Sequence, residues 1–257
     1  MVHQQPGGSR SFRQRNILWI ALGAALQAWI PAALTQPAPP EPSVAEIVSR
    51  MEVRNAQRAL ALRAYRSRRH YRVAYDGFAG HREAQMTVEA VYQAPNRKDF
   101  TIVSEAGSRL LEGRVLHRLL ESEKEASAEA TRRQVSLDST NYDFTLVASE
   151  PTPHGPAFVL QVSPKRDNKF LYRGKIWVDA RDYAVVRIEA EPAKNPSFFW
   201  IKQTTIQHCY MKIGDFWLPE HNESVSRIRL GGRAVLTIDY QDYQITDAGH
   251  LGGDGSP

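Results

Sequence analysis

The chain of 257 residues contains a single cysteine, Cys209. An internal disulfide is therefore excluded, and so is a lipid-modified cysteine following an N-terminal apolar run. No GxxxxGK[ST] phosphate loop, HExxH pair or serine in a nucleophile elbow occurs. His208 stands beside Cys209, but nothing nearby supplies the three or four ligands that a metal site needs. His70, His117, His154 and His221 are scattered singly. These absences point away from an enzyme, a metal protein and a cofactor carrier. A fixed-period repeat is lacking too. So is a strong charge excess. Of the 33 Lys and Arg residues, Arg10, Arg13 and Arg15 lie in the first 35 positions, which hold no acid, leaving 30 basic against 28 acidic residues. Nucleic acid is not an expected partner.

What is present begins with a leader. The three arginines precede an apolar run over residues 17–34 that ends in small residues, Ala32 and Ala33. Residues 1–35 read as a secretory signal, with a retained membrane anchor as the alternative. QPAPPEP, residues 36–42, is a polyproline-type linker. Ser43-Val44-Ala45-Glu46 is a capping box, and Val44, Ile47, Val48, Met51, Ala56, Ala59 and Leu60 continue at helical spacing to about Arg63. A second helical stretch carries Leu110, Leu111, Val115, Leu116, Leu119 and Leu120, with Gly113 inside it arguing against one unbroken helix.

Elsewhere the period is two. Tyr71, Val73 and Tyr75 alternate with His70, Arg72 and Ala74. Met86 and Val88, Phe144 and Leu146, and Phe158 and Leu160 mark further apolar strand faces. In KFLYRGKIWVDARDYAVVRIEAEP, residues 169–192, Phe170, Tyr172, Ile176 and Val178 share one face of the first arm. Ala184, Val186, Ile188 and Ala190 share one face of the second, around a turn at residues 179–182. Two arms of fifteen residues follow, and a last strand carries Leu236, Ile238 and Tyr240. Arms that long, about 50 Å if straight, coil or break at bulges. The expected fold is mainly β within the α+β class: a strongly curved antiparallel sheet of nine to eleven strands forming a half-open barrel, lidded by the N-terminal and central helices. The domain spans residues 43–247, and residues 248–257 read as a disordered tail.

Many apolar strand faces and only two helices leave the interior partly vacant or filled by an apolar ligand. The candidate lining is Met86, Val88, Phe144, Leu146, Phe158, Leu160, Phe170, Tyr172, Ile176, Val178, Val186, Ile188, Leu236, Ile238 and Tyr240. Trp177, on the opposite face, is expected to point outward. Phe198, Phe199, Trp200 and Trp217 stand at strand ends as rim or plug, and Phe216 reads as plug. RAYRSRRHYR, residues 63–72, is the densest basic stretch, a solvated face or a contact for anionic headgroups.

The order of elements resembles the outer-membrane lipoprotein-sorting proteins of the LolA/LolB-like family. NYDF at 141–144, SPKR at 163–166, KFLYRGKIWVDARDYAVVRIE at 169–189, EPAKNPSFFW at 191–200, GDFWLPEHNESVS at 214–226 and LTIDYQDYQI at 236–245 carry the resemblance, over about residues 43–247. It implies a monomeric, non-enzymatic periplasmic carrier of lipoprotein acyl chains or membrane lipid, working with inner- and outer-membrane transport components. Without a lipobox cysteine the chain looks like the family's soluble carrier rather than its lipid-anchored receptor. In that carrier an arginine on an early strand locks the lid. The resemblance offers Arg68, Arg69 or Arg72 for that part, as lid or headgroup contacts, without choosing among them. A periplasmic sensor or envelope scaffold that binds proteins with the same fold is the alternative.

Overall fold

The computed structural model describes residues 41–78, 80–127, 133–194, 201–229 and 231–249. The expected leader, most of the proline-rich linker, the Phe198-Phe199-Trp200 cluster and all but the first two residues of the expected tail lie outside the described residues.

The first element is α1 (Val44–Ala61). Its start is fixed by Ser43, whose hydroxyl accepts the Glu46 N–H at 3.3 Å. Glu46 in the first turn and Arg58 in the last complement the helix dipole. Three strands follow: β1 (Leu62–Gly77), β2 (Gly80–Gln93) and β3 (Arg97–Gly107). Next comes a broken helical segment made of α2 (Arg109–Leu111), a π turn (Glu112–Leu116) and α3 (His117–Ser127). Gly113 lies in the π turn, so the helix changes its hydrogen-bond pattern at the residue that argues against an unbroken helix. Seven further strands complete the chain: β4 (Tyr142–Thr152), β5 (Gly155–Pro164), β6 (Tyr172–Asp179), β7 (Val185–Pro192), β8 (Ile201–Ile213), β9 (Phe216–Ile228) and β10 (Gly232–Ala248).

All ten strands join one antiparallel sheet in the order β3-β2-β1-β10-β9-β8-β7-β6-β5-β4. The sheet does not close. Its two edges, β3 and β4, are consecutive in sequence, so the helical segment between them leaves one edge and returns to the other. That connectivity makes it a lid. Within the described residues the two long arms, β8 and β9, have thirteen residues each, and a register shift beside Cys209 and Tyr210 interrupts their pairing.

Register shifts also redirect side chains. Between Trp177 and Val178 the pairing with β7 slips by one, from Arg187 to Val185. Val185 and Ile188 then face the helices, while Val186 turns to the other side. The cause lies in the turn, which runs longer than residues 179–182. Asp179 Oδ1 accepts the N–H groups of Arg181 and Asp182, and Tyr183 takes a positive φ of 50°.

Candidate functional site: the concave face and its latch

Two apolar clusters cover the concave face. The first packs Ile47, Val48 and Met51 of α1 onto Leu160, Val162, Ile176, Val178 and Ile188 of β5, β6 and β7. The second packs Leu111, Leu116 and Leu120 of the lid onto Tyr71, Val73, Met86, Val88, Ile238 and Tyr240 of β1, β2 and β10. A third cluster, with Phe216, Leu218, Tyr65 and Ala61, closes one end. Among the described residues, these clusters cover much of the apolar strand faces with protein. Two surface recesses, of about 350 and 610 Å³, open on the outer face, among polar residues such as Gln85 and Thr237 for one and Arg173 and Glu189 for the other.

Most of the candidate lining residues come together on the concave side. Leu160, Ile176, Val178, Ile188, Met86, Val88, Ile238 and Tyr240 are buried there, and Phe144, Leu146, Phe158, Tyr172 and Leu236 pack half-buried against them. Two do not belong. Phe170 sits in the turn before β6 under the Lys169 ammonium, 4.6 Å from its ring, and Leu171 takes the buried place. Val186 joins Ala157, Val159 and Trp177 in a cluster on the outer face. Trp177 points outward but is covered, being only 6% exposed. Its indole N–H donates to Glu150 Oε2 at 3.0 Å, and the Arg187 guanidinium lies over its ring.

Alternation along β1 separates the three arginines. Arg68 and Arg72 share the outer face with His70. Arg68 lies 3.2 Å from Asp242, and Arg72 donates to Glu83 at 2.9 Å. Arg69 has the parity of Tyr65, Tyr71 and Val73 and points inward, only 2% exposed. Its Nη1 donates to both Glu123 oxygens, at 2.9 and 2.8 Å, and Lys98 of β3 donates to Glu123 Oε1 at 3.0 Å. Arg69 also lies over the Phe100 and Tyr240 rings. Burial opposes its charge, but Glu123 and the neighbouring tyrosines outweigh that and hold it protonated. Burial likewise opposes the Glu123 carboxylate, and Lys98 and Arg69 together keep it ionised, below the ordinary range. Arg69 and Glu123 thus latch the lid to the sheet. The period of two in β1 is the sequence signal for Arg69; nothing in the sequence marks Glu123.

Besides Arg69, the concave face carries polar residues on β8 and β9 that break the apolar pattern, among them Thr204, whose hydroxyl lies 2.9 Å from that of Ser226. Where the two clusters meet, His208 of β8 and Asn222 of β9 stand directly opposite each other. His208 pairs on its other side with Ile188 and shares the concave face, whereas its neighbour Cys209 points to the opposite side of the sheet. His208 and Cys209 therefore do not act together. Desolvation pushes the imidazole pKa down to about 4, and burial raises that of the thiol.

An open antiparallel half-barrel with a latched helical lid over an apolar face defines the class. The chain is similar in structure to an outer-membrane lipoprotein-sorting protein domain from Vibrio parahaemolyticus, at 13% identity and a TM-score of 0.40 over 79% of this chain and 94% of that one. It is also similar to a DUF1329 family protein from Desulfovibrio piger, at 12% identity and a TM-score of 0.37, covering 78% and 93%. A LolA superfamily protein from Nitrosomonas europaea aligns at 9% identity and a TM-score of 0.32, covering 77% and 94%. The likeness is one of fold alone. No family model and no curated protein matches the chain. Among the described residues no helix is long and apolar enough to cross a membrane.

Proposed function

We propose that the chain is a non-enzymatic periplasmic carrier that takes acyl chains of lipoproteins or lipids onto its concave face and moves them toward the outer membrane. One observation carries the reading. An apolar surface spread over most of the sheet is covered by two helical segments, and one of these is held by a buried ion pair rather than by apolar contact alone. Lifting the lid exposes Tyr71, Met86, Val88 and Ile238, which an acyl chain would cover again. Apolar burial at about 25 cal/mol per Å² makes a single chain worth several kcal/mol, so affinity needs no elaborate polar site.

Mass spectrometry of protein purified without detergent, together with transfer of labelled lipid between vesicles, tests this reading. Co-purifying lipid and catalysed transfer are expected. Lipid-free protein that transfers nothing, yet retains a stoichiometric protein partner after delipidation, would replace the carrier with a protein-binding sensor.

A further inference from the structure

Across the sheet, one concave row runs Leu146, Leu160, Ile176, Ile188, His208, Asn222, Ile238, Tyr71, Met86 from β4 to β2. Seven of these nine positions carry a largely apolar side chain, and at the β3 edge the row ends on Glu105. The other two, His208 and Asn222, are adjacent, and their Cβ atoms are separated by the roughly 4.5–5.5 Å of a directly opposed antiparallel pair. Asn222 Nδ2 donates to the Tyr240 hydroxyl at 2.9 Å. Its Oδ1 is buried and has no partner among the described residues. His208 is half-buried, and no hydrogen-bond partner of its ring stands among the described residues. A neutral imidazole carries one N–H donor and one acceptor nitrogen. The pair therefore presents a free acceptor and a free donor side by side in an apolar row. A buried acceptor left without a partner, as Asn222 Oδ1 is among the described residues, is uncommon and calls for an explanation.

We propose that His208 and Asn222 form a reading point for a ligand group that both gives and receives a hydrogen bond, a hydroxyl or a secondary amide carried on an acyl chain. A hydroxyl would donate to Asn222 Oδ1 and accept from the imidazole N–H; an amide would do the same with its N–H and C=O. A bare methylene chain satisfies neither. The site also touches the latch, because Asn222 binds Tyr240 and Arg69 lies over the Tyr240 ring, 5.0 Å from its centre. This inference rests on the acyl-chain reading but does not follow from it, since a wholly apolar row would bind chains without discrimination.

The test measures binding of octadecanoic acid, and of its monohydroxy derivatives substituted near the carboxyl, at mid-chain and beyond, to the full chain. At least one hydroxy derivative is expected to bind about tenfold tighter than the plain acid, equivalent to about 1.4 kcal/mol. Asn222→Leu combined with Tyr240→Phe, which leaves no orphaned hydroxyl, is expected to abolish that preference, read as the ratio of hydroxylated to plain acid bound by the same variant. Plain and hydroxylated acids bound equally by the wild type would overturn the reading point and leave the carrier standing. A preference unchanged in the double variant would overturn it too. If no acid binds at all, both readings fall. Should the double variant not fold, the wild-type comparison decides alone.

Discussion

Arg69 on β1 and Glu123 on α3 are joined through one guanidinium nitrogen to both carboxylate oxygens, across the space between sheet and lid. Breaking such a buried pair from one side leaves the other charge without compensation. Glu123→Gln is therefore expected to cost roughly 3–5 kcal/mol, and Arg69→Leu combined with Glu123→Leu far less. Urea unfolding midpoints of the three proteins check this. Equal losses for the single and double variants would mean that the pair does not act as a unit.

Hydrogen exchange separates the latch from general stability. In Glu123→Gln, amides of residues 109–127 are expected to exchange faster while those of β5 to β7 change little under native conditions. Uniform acceleration over the whole sheet would argue that the lid is an integral part of one core.

Acid acts on two groups. The folded His208 pKa of about 4 lies below the ordinary value of 6.5, so the unfolded chain takes up its proton first. Its contribution is complete above pH 6.5 and is lost as pH falls toward 4. The total is up to about 3 kcal/mol, reduced where solvent screens the half-buried ring. Glu123, depressed below 4.5, loses its contribution as pH falls from 4.5 through its folded pKa. His208→Leu should flatten the stability profile between pH 6.5 and 4 and leave the more acidic limb intact. An unchanged profile would mean that the ring is not desolvated.

Gly113 offers a stabilising change. A Cβ added there meets open space, and helical glycine costs about 0.5–1 kcal/mol relative to alanine. Gly113→Ala should raise the melting temperature slightly and stiffen the lid, slowing ligand release in stopped-flow measurements. A fall in stability would show that the π turn needs glycine.

Alternation makes most of the concave face legible in the amino-acid sequence, because a strand with one buried face repeats every two residues. Leu160, Ile176 and Ile238 fall where that period puts them. Val186 does not, since the slip opposite Trp177 is set by a turn whose length depends on the Asp179 side chain and on Tyr183, neither of which alters the apolar pattern. Phe170 departs from the expected face for a similar reason: it precedes the strand, and only within the strand does parity assign a side. The choice of Arg69 over Arg68 and Arg72 is implicit in the parity of Tyr71 and Val73. Glu123, Lys98, His208 and Asn222 are not legible, because each draws its role from a partner on a distant strand or helix. The packing that fills the interior is likewise hidden, since counting apolar faces does not reveal how completely α1 and the lid cover them.

The two sides of the hairpin at residues 172–192 should respond differently to truncation. Ile176→Ala, on the concave face, is expected to cost roughly 2–5 kcal/mol and to alter acyl-chain affinity. Val186→Ala, on the outer face, should cost roughly 2 kcal/mol or less and leave affinity unchanged. Calorimetry and probe displacement check the pair. Altered affinity in Val186→Ala alone would put the ligand on the wrong side of the sheet for a concave-face carrier.

Photo-crosslinking with a diazirine-bearing fatty acid, followed by peptide mapping, tests the central claim most directly. Acyl-chain binding under the lid predicts labels on the concave side of β1, β2 and β10 and on the lid, at residues such as Met86, Val88, Ile238, Leu116 and Leu120. Labels confined to the outer face, around Val159, Trp177 and Val186, or no labelling above that of an unfolded control, would contradict it.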